Sequence, residues 1–133
     1  MKIIHFIIPI LLLLSAIPLG FASSSGTVVI ASTPADAILA AQYAKAMGYK
    51  FVYTPGGELS ADAKNAVKYS DKVIMIGGPD AISENVENQL NEQVSSVERV
   101  WGADGVDTSL ALLKRLIIEI LSLKLNIAVL NWT

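Results

Sequence analysis

Two adjacent glycines, Gly77 and Gly78, follow a short apolar run and are the residues whose type and spacing most suggest chemistry. Glycine lets backbone N–H groups approach an anion, and a helix N-terminus behind it favours negative charge, so the pair is a candidate phosphate-binding loop. Neither the dinucleotide fingerprint G-x-G-x-x-G nor the P-loop lysine motif surrounds it. We therefore expect a tight structural turn, with phosphate binding as the alternative.

Carboxylates form the second group of candidates, because Asp36, Asp80, Asp104 and Asp107 each come shortly after a predicted strand. Such a set can act as an acid/base pair or bind a hard metal ion. Asp36 and Asp107 also stand where a predicted helix begins, and a negative charge there is favoured by the helix dipole. Helix capping is the simpler interpretation, and it requires neither a metal nor a cofactor.

Composition argues against several classes of protein. The 133 residues include no cysteine, and the single histidine, His5, lies in an apolar N-terminal segment. A disulfide framework, a Cys-based zinc site and a Ser-His-Asp triad in the remainder of the chain are therefore unavailable. The formal net charge of −2 argues against a nucleic-acid partner.

Basic residues are the groups that would meet an anionic polymer. Lys64 and Lys68 share one face of a predicted helix at four-residue spacing, and Lys72 continues the row if the helix does. Arg99 lies in a later predicted strand. A solvated helix face explains the lysines without a ligand, and both interpretations stay open.

The elements that must position these residues alternate between strand and helix. Strands are predicted at 27–31, 51–54, 73–76, 97–101 and 127–130, and helices at 34–47, 61–69, 83–94 and 107–123. The strand at 73–76 is apolar at every position, which is typical of a parallel sheet covered on both faces. The pattern predicts an α/β three-layer sandwich, Rossmann-like or flavodoxin-like, with about 4–5 mainly parallel strands and helices on both faces. Ligands of such sheets collect at the carboxyl edge of the strands.

The first 22 residues are predicted to be a signal peptide. A basic start precedes an apolar run at 3–14, and Gly20 and Ala22 are spaced as in a signal-peptidase site. An uncleaved membrane anchor is the alternative, because a span needs about 20 apolar residues. In either case we expect residues 23–133 to form one module outside the cell.

Several blocks of the chain resemble, in order, the cell-wall-binding repeat 2 family, whose modules occur in surface-layer and cell-wall proteins. The blocks at 28–31 and 36–41 are similar to its strand and "DALAA" helix, 73–83 to "VIIIGGxxAIS", 86–90 to "VexqL" and 97–104 to the start of "VeRIaGaDRYeTA". The resemblance covers nearly all of 23–133. It departs from the family pattern at Gly105 and Val106, which replace an Arg and a Tyr, and in holding one module where members usually hold several.

The resemblance implies a non-enzymatic cell-surface module that binds an anionic cell-envelope polymer or a surface-layer protein and uses no cofactor. Residues 127–130 would then be the first strand of a next module. The candidate ligand-binding residues are those of the predicted edge and the lysine pair: Asp36, Gly77, Gly78, Asp80, Arg99, Asp104, Lys64 and Lys68. Arg99 is the one that matches an Arg of the family pattern.

The helix at 107–123 has a wider apolar stripe than one module can bury, so we expect a homo-oligomer or contact with neighbouring modules. Two other interpretations stay open. One is a small nucleotide- or phosphate-binding protein or enzyme that uses the glycine loops. The other is a truncated remnant of a larger multi-module surface protein.

Overall fold

The computed structural model describes residues 26–132, and the leader predicted at 1–22 lies outside them. Within this range the strands form one parallel sheet in the order β2-β1-β3-β4. The strands are β1 (Thr27–Ala31), β2 (Lys50–Tyr53), β3 (Lys72–Ile76) and β4 (Ser96–Val100), and the helices are α1 (Pro34–Met47), α2 (Ala61–Val67), α3 (Glu84–Gln93) and α4 (Gly105–Trp132). The predicted α/β fold with a parallel sheet is confirmed.

Buried apolar side chains cover both faces of this sheet. Ile30 and Met75 pack on the side of α2 and α3, whereas Val29 and Ile74 pack on the side of α1 and α4. Successive residues of a strand point to opposite faces, so a strand that is apolar at every position needs helices on both sides. The result is the expected sandwich of helix, sheet and helix.

Three of the helices have a hydroxyl residue as their N-cap at the carboxyl edge of the sheet. The hydroxyl groups accept hydrogen bonds from backbone N–H groups of the first turn, Thr33 from Asp36 (3.2 Å), Ser60 from Ala63 (3.2 Å) and Ser83 from Val86 (3.4 Å). Each bond satisfies one of the N–H groups that a helix start leaves free. The caps therefore fix the direction in which each loop leaves its strand.

One predicted strand is wrong, because residues 127–130 belong to α4, which continues to Trp132. A short apolar run fits a strand and a buried helix equally well on periodicity alone. No glycine or proline interrupts the chain between 106 and 132, so nothing in the sequence ends the helix. Residues 127–130 therefore do not form the strand that was expected to correspond to the first strand of a next module.

A network of hydrogen bonds and ion pairs ties α4 to α1 and β4. Arg115 contacts the carboxylates of Glu98 (2.6 Å) and Glu119 (2.9 Å), and Tyr43 donates to Glu119 (2.7 Å). Burial and this hydrogen bond raise the pKa of Tyr43, so its hydroxyl stays a donor. The hydrogen bond from Lys72, and then that from Arg115, lower the pKa of Glu98 against the opposing effect of burial. The network holds in place the helix whose first turn borders the carboxyl edge.

The outer face and last turns of α4 are apolar and uncovered. Ile118 is 63% exposed and Trp132 is 91% exposed, and Leu121 and Leu125 between them are also more than half exposed. Among the described residues, no helix has both the length and the apolar character that a membrane crossing requires.

Candidate functional site

The loops that follow β1, β3 and β4 enclose an open cleft of about 300 Å³ at the carboxyl edge. Strand β2 lies on one side of β1 and β3 on the other, so the strand order reverses beside β1. Open α/β sheets bind ligands at such a switch point, and about 300 Å³ is at the small end of ligand pockets. The cleft is lined by Thr33, Ala35, Asp36, Gly78, Pro79, Asp80, Ala81, Trp101, Gly102, Ala103, Asp104, Gly105 and Thr108.

Trp101, directly after β4, is the largest side chain of the cleft and is 50% exposed. Its ring lies against Gly78, where an added Cβ would come within 2.9 Å of Trp101 Cε3. Any side chain at position 78 would therefore push the indole out of place. Gly78 is one of the residues predicted to bind a ligand. In the structure, its lack of a side chain leaves the space that the Trp101 ring occupies on the loop.

Gly77 lies beneath the cleft and meets Asp36, as the shared edge predicts. Its φ of 128° belongs to the region that favours glycine, and an added Cβ would lie 3.1 Å from Asp36 Oδ2. The Gly77 N–H donates to the carbonyl of Val100 (3.0 Å), and Thr33 donates its hydroxyl proton to Asp36 (2.7 Å). Both predicted residues therefore have structural partners.

Arg99 clamps the glycine loop from below. Its Nη1 donates to the carbonyl oxygens of Gly77 and Ile82, both at 3.0 Å, and its Nη2 pairs with Glu87 Oε2 at 2.6 Å. The Arg99 side chain is only 10% exposed and is not among the residues that line the cleft. A ligand at this edge would therefore contact the loop that Arg99 holds in place.

The phosphate-cradle alternative requires free N–H groups in the glycine loop. The N–H of Gly77 already bonds to Val100, and those of Ala81 and Ile82 bond to the carbonyl of Gly78. Helix α3 behind the loop has Glu84 in its first turn, and the charge of Glu84 disfavours an anion, whereas Glu87 is paired with Arg99. The geometry favours the structural turn.

Asp104 caps α4, whereas the sequence pattern favoured Asp107. Asp104 Oδ1 accepts from the N–H groups of Val106 (2.8 Å) and Asp107 (2.9 Å), because the helix begins two residues earlier than predicted. Thr108 then joins the loop to the helix, since its hydroxyl donates to the Asp104 carbonyl (2.9 Å) and accepts from Gly102 N–H (3.0 Å). Asp104 therefore lines the cleft while one of its carboxylate oxygens is hydrogen-bonded to the first turn of α4.

Asp80 is the other predicted carboxylate at the cleft, and it is exposed on the loop after β3. The structure thus brings Asp36, Asp80 and Asp104 to one opening. Within residues 26–132, no group of three or more His, Cys, Asp or Glu side chains is placed to hold a metal ion.

Lys64 and Lys68 lie apart from this cleft. Both are exposed on or beside α2, and the Lys68 Nζ is 5.3 Å from the centroid of the Tyr69 ring. The row would continue to Lys72 only if the helix did, and α2 ends at Val67. Lys72 opens β3, where it pairs with Glu98 (2.9 Å). The lysines do not form one continuous stripe.

Sequence reasoning missed Trp101 and Thr108 as site residues. A large aromatic at the carboxyl end of a parallel strand, followed by Gly102, is a signal that could have indicated Trp101. Thr108 stands four residues after Asp104, which is the spacing of a side chain that reaches back over a first helical turn. The Thr108 signal is visible only once the start of α4 is placed at Gly105.

Comparison with known proteins agrees with the fold and with the resemblance of the sequence blocks. The family model "Cell wall binding domain 2 (CWB2)" matches residues 6–87, which is more than half of the chain. The chain belongs to the CWB2 family. The resemblance to the family is therefore confirmed, and the blocks at 28–31, 36–41 and 73–83 lie within the match.

Relatives of this CWB2 chain are much longer proteins. It is 34% identical over 89 residues to the N-acetylmuramoyl-L-alanine amidase LytC of Bacillus subtilis strain 168, a match that covers 65% of the chain and 18% of the amidase. Among solved structures it is similar to Cwp6 from Clostridium difficile (TM-score 0.62, 27% identity, 68% of this chain and 15% of that one). It is also similar to Cwp8 from Clostridium difficile (TM-score 0.59, 26% identity, 68% and 16%). The chain spans less than a fifth of each relative.

Replacing Arg99 tests the clamp. We expect Arg99→Gln to lower the free energy of unfolding by about 2–3 kcal/mol, because bonds to a partly buried charged group are lost. Lys72→Gln is the control, since it removes a more exposed cation from a surface pair and should cost less than about 1 kcal/mol. Urea unfolding measures both. Equal effects of the two substitutions would contradict the clamp.

Proposed function

We propose that this CWB2 chain is an exported, non-enzymatic module that binds a cell-envelope polymer through the cleft at the carboxyl edge of its sheet. The observation that carries the proposal is Trp101, a half-exposed indole seated on Gly78 at the switch point of the sheet. Tryptophan is one of the residue types enriched among the side chains that contribute most to binding at protein interfaces. Membership in a cell-wall-binding family gives the class of the partner.

The hydrogen bonds of the cleft support binding without catalysis. The Thr108 hydroxyl donates to the backbone carbonyl of Asp104, which is not a base. The Thr33 hydroxyl donates to the Asp36 carboxylate and accepts from the Asp36 N–H, which is the arrangement of an N-cap. Residues 26–132 contain no histidine. The amidase activity in the name of the Bacillus relative belongs to a protein of which this chain covers 18%.

The uncovered apolar face of α4 supports self-association as a second part of the proposal. Ile118, Leu121 and Leu125 follow one another at spacings of three and four and are all more than half exposed. An exposed apolar patch of several hundred Å² is unusual on a monomer, and a standard interface buries about 800 Å² of each partner. Residues 116–132 carry two charged side chains, Glu119 and Lys124, and Glu119 is paired with Arg115 beside α1. The proposed occupant of this face is another copy of the chain.

Sedimentation with isolated cell envelopes of the source organism tests polymer binding. The full chain should sediment with them, and Trp101→Ala should weaken retention at least about tenfold, which corresponds to about 1.4 kcal/mol. Tyr69→Ala is the matched control, because Tyr69 is an exposed aromatic outside the cleft. Retention should survive protease treatment of the envelopes. Wild-type binding that Trp101→Ala leaves unchanged would overturn the site, and loss after proteolysis would indicate a protein partner.

Analytical ultracentrifugation of the full chain tests self-association. Ile118→Glu places a charge in the proposed helix interface and should raise the dissociation constant at least about tenfold. Ile38→Glu is the control, because Ile38 has nearly the same exposure (66% against 63%) but lies on α1. A monomeric wild type, or equal responses of the two variants, would overturn this part of the proposal.

A further inference from the structure

The last turns of α4 extend beyond the module to which the helix belongs. Helix α4 has 28 residues and is therefore about 42 Å long at a rise of 1.5 Å per residue. Leu123 is the last residue of the helix that packs against the core of the described chain. Residues 124–132, which we call the α4 end, are all exposed and span about 13 Å. Helix α4 is therefore longer than its own module can cover.

One face of the α4 end continues the exposed face proposed above for self-association. Leu125, Val129 and Trp132 follow Leu121 at spacings of four, four and three, and they are between 62% and 91% exposed. Residues at these spacings lie on one side of a helix. Lys124 is the one charged side chain among residues 124–132. The α4 end thus presents an apolar strip that suits an apolar, uncharged surface.

An open groove of about 300 Å³ between α1 and the first half of α4 is such a surface. Its lining is largely apolar and carries no charged side chain: Leu39, Gln42, Tyr43 and Ala46 come from α1, and Ser109, Leu112, Leu113 and Leu116 come from α4. Residues 109–116 span about 10 Å of helix, which is close to the length of the α4 end. Placing an amphipathic helix in an apolar groove is a recurring mode of protein association.

The α4 end of the same chain cannot reach this groove. Residues 109–116 and 124–132 belong to one continuous helix, and neither glycine nor proline occurs between 106 and 132. Sharp kinks in helices arise mostly at such residues, so the second half of α4 leads away from the groove. The α4 end that fills the groove must therefore come from another copy of the chain.

We propose that two copies exchange their α4 ends, so that each end lies in the groove between α1 and α4 of the other copy. The inference rests on the proposed self-association and names the surface that receives the helix. The two α4 helices must run antiparallel, because parallel helices would place groove beside groove and end beside end.

An antiparallel exchange uses both surfaces of both copies. With Leu113 of one copy beside Leu125 of the other, the two-fold axis passes near residue 119, and the same contact recurs in reverse. Ile118 of each copy then lies close to the axis. Because every groove and every α4 end is occupied, the assembly closes at two copies instead of growing into a filament.

A charge in the groove, away from α4, separates the exchange from a simple contact between helix faces. Ala46→Glu alters the α1 wall of the groove and should raise the dissociation constant of the full chain at least about tenfold in analytical ultracentrifugation. Ala61→Glu is the matched control, because Ala61 is an exposed alanine on α2 in the opposite layer. An unchanged dissociation constant for Ala46→Glu, beside weakened association of Ile118→Glu, would overturn the exchange while self-association stands. A monomeric wild type would overturn both.

Cysteine cross-linking tests the antiparallel arrangement, because the chain contains no cysteine of its own. Full-length Leu113→Cys and isotopically labelled Leu125→Cys are mixed and treated with a short bismaleimide, and mass spectrometry identifies the products. We expect the mixed dimer to dominate over the dimer of either variant alone, and Ala61→Cys in place of Leu113→Cys should abolish it. A dominant link between two Leu113→Cys chains would indicate parallel helices and overturn the exchange.

Two further outcomes identify other occupants of these surfaces. Growth of the wild type beyond the dimer with rising concentration would contradict the closed exchange and indicate an open chain of copies. A monomer that sediments with phosphatidylcholine vesicles would show that the α4 end contacts lipid, and it would overturn both the exchange and the proposed self-association.

Discussion

The contact set of Arg99 is the interaction on which the carboxyl edge depends. From the next-to-last residue of the edge strand β4, one guanidinium reaches both ends of the loop 77–82 and the first turn of α3. A lysine could supply the charge but not the fork that contacts two carbonyl oxygens and a carboxylate at once. With the loop held, Gly78 leaves room for the Trp101 ring to lie against the loop backbone. Arg99, which matches an Arg of the family pattern, thus supports the wall of the site.

Parallel strand order accounts for most of what surrounds this clamp. All strands end at one edge, so the loops, helix starts and their capping carboxylates gather there. The same geometry sends helix ends and strand starts, with their lysines, to the opposite edge. Helix stability and ligand chemistry are therefore linked, because the carboxylates that suit the helix dipoles also set the charge of the cleft.

Much of the fold was predictable because its boundaries have local chemical causes. Thr33 and Pro34 begin α1, Gly48 ends it in a left-handed conformation, and β3 is apolar throughout. The strand at 127–130 was mispredicted because an apolar run without glycine or proline carries no signal of its own period. The site was harder, since the partners of Arg99 depend on the register that sets it beside Met75, and the seat of Trp101 depends on a loop from another strand. Long-range contacts of this kind leave no mark in a single sequence.

The central claim is that the carboxyl edge, and not the lysine-bearing helix, meets the envelope polymer. Amide and indole chemical shifts of the isotopically labelled chain, recorded while envelope polymer is added, test it directly. The account predicts shifts concentrated at the Trp101 indole, Gly78, Gly102 and Asp80. Shifts concentrated at Lys64 and Lys68, with the Trp101 indole unmoved, would contradict it.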